Sequence, residues 1–226
     1  MDLGRRSVGY LFNYNERLTM FDIKDRVGLE KICGNIKHYL WQHHKIYDLP
    51  VQSEYWENLL AKALNSCNIE NSWTPDLNHK QGLDMVIENA LRVSCKTGQI
   101  IGGAQNNLSF SGSRMTKHKT LQDKLNFLSN KRDDVYMLLS RSKEEWENGQ
   151  KKYYFIVFPS DMLQYEKMNW IDTVAIRGKS KGELSGHKAS SKVFDATIRY
   201  PMSHQLWTVI KNYKDNEEVF VREISV

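Results

Sequence analysis

The sequence predicts a mixed α/β fold in which a central sheet is flanked by helices. In several segments apolar residues recur every three or four positions, which is typical of amphipathic helices. Elsewhere short apolar runs are bounded by turn-forming residues, which is typical of strands. Strands and helices follow one another after an early hairpin, and this succession indicates a mixed sheet with helices on its faces.

Composition is compatible with one large globular domain. The 226 residues are 40% hydrophobic and 26% charged, which is enough to build a full core. We expect a single domain over residues 1–226, with a helical N-terminal part (1–50) and a core (51–226) that holds the functional residues. No apolar run approaches the length of a membrane span and the first residues lack a secretory signal. We therefore expect no membrane association and a cytoplasmic location.

Cysteine and histidine patterns do not predict a metal site. Three cysteines without a CxxC pair indicate neither a disulfide framework nor zinc, so we expect them to be small core residues. The histidines of the WQHHK segment lie in a polar setting and are expected to be solvated. A formal net charge of +5 fits a polyanionic partner, although many proteins without such a partner share it.

The N-terminal part is predicted to be helical. Apolar residues repeat at helical spacing over 15–47, with interruptions at Gly28 and Gly34, so we expect two or three short helices. We expect them most simply to pack in the core; a dimer interface or a cover for the core is the functional alternative. A clearer helix follows at SEYWENLLAKALNS, with Ser53 as its N-cap and Glu57 beside its apolar face.

Residues 82–98, GLDMVIENALRVSCKTG, predict a β-hairpin because two apolar runs are joined at a turn-prone pair. A three-residue loop or a bulge would place Asp84 opposite Lys96. Asp84, Ser94 and Lys96 would then share one face of the sheet, while Cys95 would point into the core.

An acid and a lysine at this spacing suit metal-assisted hydrolysis of a phosphodiester. Asp84 could hold Mg²⁺, and Lys96 could orient or deprotonate the attacking water. Glu57, on the preceding helix, is the preferred additional carboxylate, because Glu54 points nearly away from the apolar face. Asp76, in a Pro-Asp pair, competes with Asp84 for the acidic role, and Asp84 is preferred because it lies on the predicted strand whereas Asp76 lies in a loop. Taken alone, the hairpin is more simply an amphipathic hairpin with a surface acid and base.

Two basic segments accompany the hairpin. Residues 98–120 show no convincing periodicity and predict a long loop, and over 111–132 six basic residues accompany one acid. A second segment, RGKSKGELSGHKASSK, interleaves lysines with Gly and Ser. Both are expected to contact DNA phosphates, with amides suited to adenine and Arg to guanine. The expected DNA contacts are Gln105, Asn106, Asn107, Arg114, Lys117, Lys119, Lys179, Lys181, His187 and Lys188.

The remaining segments complete the predicted α/β succession. A helix is predicted at TLQDKLNFLSN. Strands are predicted at DVYMLLSR, YYFIVFPSDML, SSKVFDATIRY and EEVFVREISV. A short helix is predicted at SHQLWTVIKN.

The succession resembles type II restriction endonucleases of the PD-(D/E)xK superfamily. The resemblance covers roughly residues 53–210. The features that carry it are the helix with Glu57, the hairpin with Asp84, the Ser94-Cys95-Lys96 run, LSFSGSRMTKHKTLQDKLNFL and SHQLWTVI. The resemblance implies Asp84 as the first metal ligand and Lys96 as the family's lysine. Ser94 stands where the family has Asp or Glu, so the Cys95 carbonyl and Glu57 would complete the Mg²⁺ site.

The same resemblance implies hydrolysis of both strands of a palindromic, A:T-rich duplex DNA. A palindromic target requires a two-fold symmetric homodimer, since isologous symmetry matches duplex symmetry. Two alternatives remain open at this point: a DNA-binding protein without catalysis, and a nuclease of the same fold that acts on a particular nucleic-acid structure.

Overall fold

The computed structural model describes residues 28–73, 84–88, 91–103, 106–131 and 133–226. The helices among them are α1 (Leu29–Ile46), α2 (Ser53–Asn65), α3 (Leu121–Ser129) and α4 (Lys143–Glu147). The strands are β1 (Met85–Ile87), β2 (Leu91–Ile101), β3 (Asn107–Arg114), β4 (Val135–Ser142), β5 (Lys152–Pro159), β6 (Ile171–Val174), β7 (Leu184–Ser190), β8 (Phe194–Arg199), β9 (Gln205–Ile210) and β10 (Phe220–Ser225). Short 3-10 turns cover Ser160–Met162, Tyr165–Lys167, Tyr200–Met202 and Tyr213–Asp215.

All ten strands belong to one sheet, in the order β10-β5-β4-β2-β3-β9-β8-β7-β6, with β1 paired to β2. β2 and β4 are parallel, and the other pairs are antiparallel. The predicted mixed α/β class with helices beside a central sheet is therefore confirmed. The sheet is mostly antiparallel, because hairpins rather than helical crossovers make most of its connections.

The sheet separates two hydrophobic clusters. On one face, Val93 and Met137 pack with α1 and α2. On the other, Leu138 and Ile156 pack with residues that include those of α3. Successive side chains of a strand point to opposite faces, so the apolar runs of β4 and β5 fill both clusters. Strand β2, next to β4, thus lies in the middle of the core.

Helix α1 is one continuous helix of 18 residues, so the predicted break at Gly34 is wrong. An interior glycine costs only about 1 kcal/mol relative to alanine. The buried stripe of Ile32, Ile36 and Leu40 outweighs that cost. Gly28 precedes the helix with φ +59, a left-handed conformation that suits glycine. Residues 15–27 of the predicted helical region lie outside the described residues.

Helix α2 agrees with its prediction except at its start. Gln52, not Ser53, is the N-cap residue, and it makes no side-chain capping bond. The Ser53 hydroxyl is instead hydrogen-bonded to Thr97 Oγ1 at 2.7 Å. Trp56 Nε1 donates to the Met137 carbonyl at 3.1 Å. These two bonds fix the first turn of α2 against β2 and β4, which positions Glu57.

More than half of the predicted loop over 98–120 is sheet. β2 continues to Ile101, and β3 then returns beside it, pairing Gly98 with Phe110. Gly98 allows this close packing, because a Cβ there would lie 2.5 Å from Ser140 Oγ. The strands were not predicted because their small polar residues show no clear apolar alternation. The burial of these residues depends on pairing partners far along the chain.

Residues 205–210 form strand β9, so the helix predicted at SHQLWTVIKN is wrong. Leu206, Thr208 and Ile210 are buried in alternation with half-buried neighbours, which is the two-residue period of a strand. β9 pairs with β3 on one side and β8 on the other. β6 and β7 also occupy segments for which no strand was predicted.

The other predicted elements are confirmed. α3 begins at a capping box in which Thr120 and Asp123 bond each other's backbone N–H groups, and β4, β5, β8 and β10 lie in the predicted segments. All three cysteines are free and buried. No helix within the described ranges is long and apolar enough to cross a membrane.

Candidate active site

The hairpin forms with a register different from the predicted one. Met85 pairs with Val93, and continuing this register places Asp84 opposite Ser94 rather than Lys96. The difference is two residues, and a two-residue shift leaves every side chain on its original face. Asp84, Ser94 and Lys96 therefore share one side of the hairpin, as predicted.

The site lies beside β2 at the gap between β1 and β3, which we call the fork. β1 pairs with residues 91–93 and β3 with residues 98–101, while β4 occupies the opposite edge of β2. Residues 94–97 consequently have no strand partner on the β1/β3 side among the described residues. Asp84 takes that place: its Oδ2 accepts a hydrogen bond of 2.6 Å from the Cys95 backbone N–H.

Lys96 joins the two oxygens at the fork. Its Nζ donates to Asp84 Oδ2 and to the Cys95 carbonyl, both at 2.8 Å. Ser94 Oγ donates to the same Asp84 oxygen at 3.4 Å. The Lys96 and Asp84 side chains are 21% and 19% exposed, so a ligand could reach them. The ammonium occupies a cation position between a carboxylate and a carbonyl, the oxygen ligands that Mg²⁺ prefers.

Glu57 reaches the same site from α2. Burial, and secondly the negative charge of Asp84, raise the pKa of the Glu57 carboxyl to about 7, although Lys96 opposes the shift. The negative charges of Glu57 and Asp84 thus act on one another, and the Lys96 ammonium acts on both. A divalent cation would relieve their repulsion, so the donor set of Asp84, Glu57 and the Cys95 carbonyl fits Mg²⁺.

Of the alternative acids, Glu54 is exposed, and its charge adds to burial and to Asp84 in raising the pKa of Glu57. Asp76 lies outside the described residues. No group of three or more His, Cys, Asp or Glu side chains suited to a metal occurs in the described part of the chain. A site with two carboxylates and one carbonyl requires no third such side chain.

A second ion pair beside the first was not predicted. Lys131 pairs with Asp133, and Lys131 Nζ donates to Ser94 Oγ at 3.5 Å. In the sequence, Lys131 is recognisable only as one of the basic residues of the segment 111–132. The available signal was the position of Lys131 and Asp133 just before the buried strand β4, since β4 is the parallel neighbour of β2.

Part of each basic segment lies at the end of the sheet that holds the site. Arg114 ends β3, which runs antiparallel to β2 and so brings Arg114 to that end. The exposed Lys117 and Lys119 follow it. Pairing across β9, β8, β7 and β6 brings the β6–β7 turn, with exposed Lys179 and Lys181, to the same end.

The predicted amide contacts lie elsewhere. Asn107 and Arg114 begin and end β3, so they are roughly 23 Å apart at 3.3 Å per residue. Asn106 precedes β3 at the far end, and the Asn107 side-chain oxygen accepts a bond from the Asn212 N–H at 3.1 Å. Gln105 lies outside the described residues. The structure therefore separates these amides from the site end.

His187 is also placed differently from its prediction as a DNA contact. It is 4% exposed, because its side chain points from β7 into the protein. Its Nδ1 lies 2.8 Å from Asp172 Oδ1, and its Nε2 lies 2.7 Å from the Tyr200 hydroxyl. Both ring nitrogens are thus used within the protein, whereas the next residue, Lys188, is exposed.

The fork, with its acids and its lysine, is the strongest candidate site among the described residues. The chain matches no family model, no curated protein and no solved structure. Its function is therefore inferred from the chemistry of the site and from the charged residues around it.

Proposed function

We propose that the protein is a Mg²⁺-dependent endonuclease that hydrolyses both strands of duplex DNA at a specific palindromic site, in the manner of a type II restriction endonuclease. One observation carries the proposal. Asp84 Oδ2, the Cys95 carbonyl and the Lys96 ammonium converge within 2.8 Å contacts at the strand fork, which is the arrangement expected for metal-assisted phosphodiester hydrolysis.

Three groups would hold the cation: the Asp84 carboxylate, the Cys95 carbonyl and the Glu57 carboxylate. Mg²⁺ bound there would neutralise charge on the phosphate and lower the pKa of a coordinated water. The hydrogen bond from the Cys95 N–H to Asp84 fixes the carboxylate in advance. The rigid strand beneath it reduces the reorganisation required when substrate binds.

Lys96 would act on the water and on the phosphate. Its ammonium bonds to two of the proposed ligand atoms. It would release these oxygens to the cation and, from the same position on β2, orient the attacking water for in-line attack. The same positive charge would stabilise the additional negative charge that develops on the phosphate oxygens.

The basic end of the sheet supports DNA as the substrate. Five strand spacings separate β2 from β6, or roughly 24 Å, which is the length of about seven base pairs. Arg114, Lys117, Lys179 and Lys181 could therefore contact the backbone of one duplex whose scissile phosphate lies at the fork. Cutting a palindrome in both strands would require a homodimer. An A:T-rich target remains an expectation from the resemblance.

Digestion of DNA tests the proposal directly. With Mg²⁺ the protein should cut a genome-sized DNA of known sequence into fragments with fixed ends, and EDTA should prevent cutting. Lys96→Met and Asp84→Asn should each lose cleavage. Lys143→Met is the matched control, because Lys143 is 74% exposed and forms only a surface ion pair with Glu147. Full cutting by Lys96→Met would contradict the proposed mechanism.

A DNA-binding protein without catalysis is the second candidate. It is favoured by one observation: Asp84 and Lys96 already neutralise one another as an ion pair. Such a protein would retard DNA in a gel and leave it intact with Mg²⁺. A structure-specific nuclease would instead cut branched substrates without producing fixed ends in linear DNA.

A further inference from the structure

Ser94 links two adjacent ion pairs. Its hydroxyl donates to Asp84 Oδ2 at 3.4 Å and accepts from Lys131 Nζ at 3.5 Å. Lys131 is in turn paired with Asp133, and its Nζ lies 5.3 Å from the centre of the Tyr136 ring. The side chains from Lys96 to Asp133 thus form one continuous polar chain across β2 and the segment before β4.

The Lys131–Asp133 pair is unlike an ordinary surface ion pair. The two side chains are only 11% and 2% exposed, and neither Asp133 carboxylate oxygen accepts a hydrogen bond of regular geometry from a described group. Removing two charges from water is costly, and their attraction often fails to compensate when the hydrogen bonds are incomplete. Stability alone is therefore a weak explanation for a pair at this position.

Serine is the residue type that this arrangement needs at position 94. A hydroxyl can donate to Asp84 and accept from Lys131 at the same time, whereas an ionised carboxylate can only accept. A carboxylate at 94 would also add a third negative charge beside Asp84 and Asp133. With serine there, two carboxylates and two ammonium groups balance, before Glu57 is counted.

We propose that Lys131 is a second catalytic cation of this site and binds the scissile phosphate, with Asp133 and Ser94 as its positioning residues. This inference rests on the proposed function. During hydrolysis the water oxygen forms the new P–O bond, the opposite P–O bond breaks, and the departing oxygen keeps the electron pair and takes a proton from solvent. The proton lost by the water returns to solvent. Lys131 keeps its own protons and stabilises the charge on the non-bridging oxygens.

The test removes the charge of Lys131 without leaving a buried, unpaired acid. Lys131→Met alone would leave the Asp133 carboxylate buried without a partner. The main variant is therefore Lys131→Met/Asp133→Asn, which neutralises both partners. Lys131→Gln is the second variant, because its amide can still donate to Asp133. Lys211→Met/Asp195→Asn is the matched control: it removes an ion pair of 3.0 Å at the opposite end of β8 and β9.

Three quantities are measured for each variant: the unfolding temperature, the affinity for target DNA with Ca²⁺ in place of Mg²⁺, and the single-turnover cleavage rate with Mg²⁺ at saturating protein. Loss of a group that stabilises transition-state charge should slow cleavage about 100-fold or more. The unfolding temperature and the DNA affinity should remain near those of the control. Lys131→Arg should keep most of the rate, because the charge is retained.

Cleavage at the parent rate by either the double variant or Lys131→Gln would overturn the role of Lys131. A variant that slows cleavage only in proportion to weaker DNA binding would also overturn it, since that result describes a general phosphate contact. Failure of the unsubstituted protein to cut any DNA is a different result, which would remove the proposed function and this inference together.

Discussion

Replacing Glu57 with glutamine should remove a pH-dependent loss of stability. Burial and the negative charge of Asp84 raise the pKa of Glu57 from 4.5 to about 7. Between these values the folded chain holds a proton that the unfolded chain has released. The free energy of unfolding therefore falls as the pH rises through this window. Glutamine carries no such proton, so its variant should not show this decrease.

The size of the effect follows from the two pKa values. From pH 5 to pH 8, proton linkage at a single carboxyl lowers the free energy of unfolding by at most about 2.5 kcal/mol, and by less here because Glu57 is half-buried and partly screened. For a chain of this length each kcal/mol changes the unfolding temperature by about 2 to 4 °C. Glu57→Gln should thus gain up to several degrees over the parent at pH 8.

Thermal unfolding followed by circular dichroism in EDTA measures this difference at pH 5 and pH 8. Glu144→Gln is the matched control, because Glu144 is an exposed acid in the first turn of another helix, α4. Mg²⁺ at pH 8 should stabilise the parent more than Glu57→Gln, since a ligand stabilises the state that binds it. If the parent and Glu57→Gln change equally with pH, Glu57 does not share a buried acidic site with Asp84.

Two further predictions concern packing and DNA contacts. Gly98→Ala should destabilise the protein by about 1 to 3 kcal/mol in urea unfolding, because its Cβ would lie 2.5 Å from Ser140 Oγ; the control Gly34→Ala, which meets no atom within 4 Å, should stabilise α1 by about 0.5 to 1 kcal/mol. Equal effects would contradict the close approach at Gly98. Lys117→Ala/Lys119→Ala should weaken DNA binding and reduce the slope of log affinity against log salt by about 1.8, and an unchanged slope would place the duplex elsewhere.

Long amphipathic or apolar segments were readable from the sequence. α2, α3, β4, β5 and β10 appear where their periodicity or apolar runs predict them, because each buries a face that its own residues define. The failures share a cause. The polar β3, the segment of β9 and the short β6 carry weak local signals, and pairing with strands distant in sequence makes them strands.

The candidate site divides in the same way. The shared side of Asp84, Ser94 and Lys96 could be predicted from the local sequence, because these residues lie on one side of a hairpin in any register that keeps the two-residue period. The structure therefore agrees on the side although the predicted pairing was wrong. The position of Glu57 could also be predicted locally, because it depends only on which residues form the apolar face of its own helix. The positions of Lys131 and Asp133 were not local, because they depend on the parallel pairing of β2 with β4.

The sequence by itself determined which side chains alternate inward and outward along each strand, and hence that an acid, a hydroxyl and a lysine would share one side of residues 84–96. Only the tertiary structure determined which other groups these three side chains contact. It opened the fork beside β2, brought Glu57 and Lys131 to it, and placed Asn107 at the far end of β3. Side-chain alternation follows from backbone geometry within a strand, whereas strand order depends on burial shared by segments far apart in the chain.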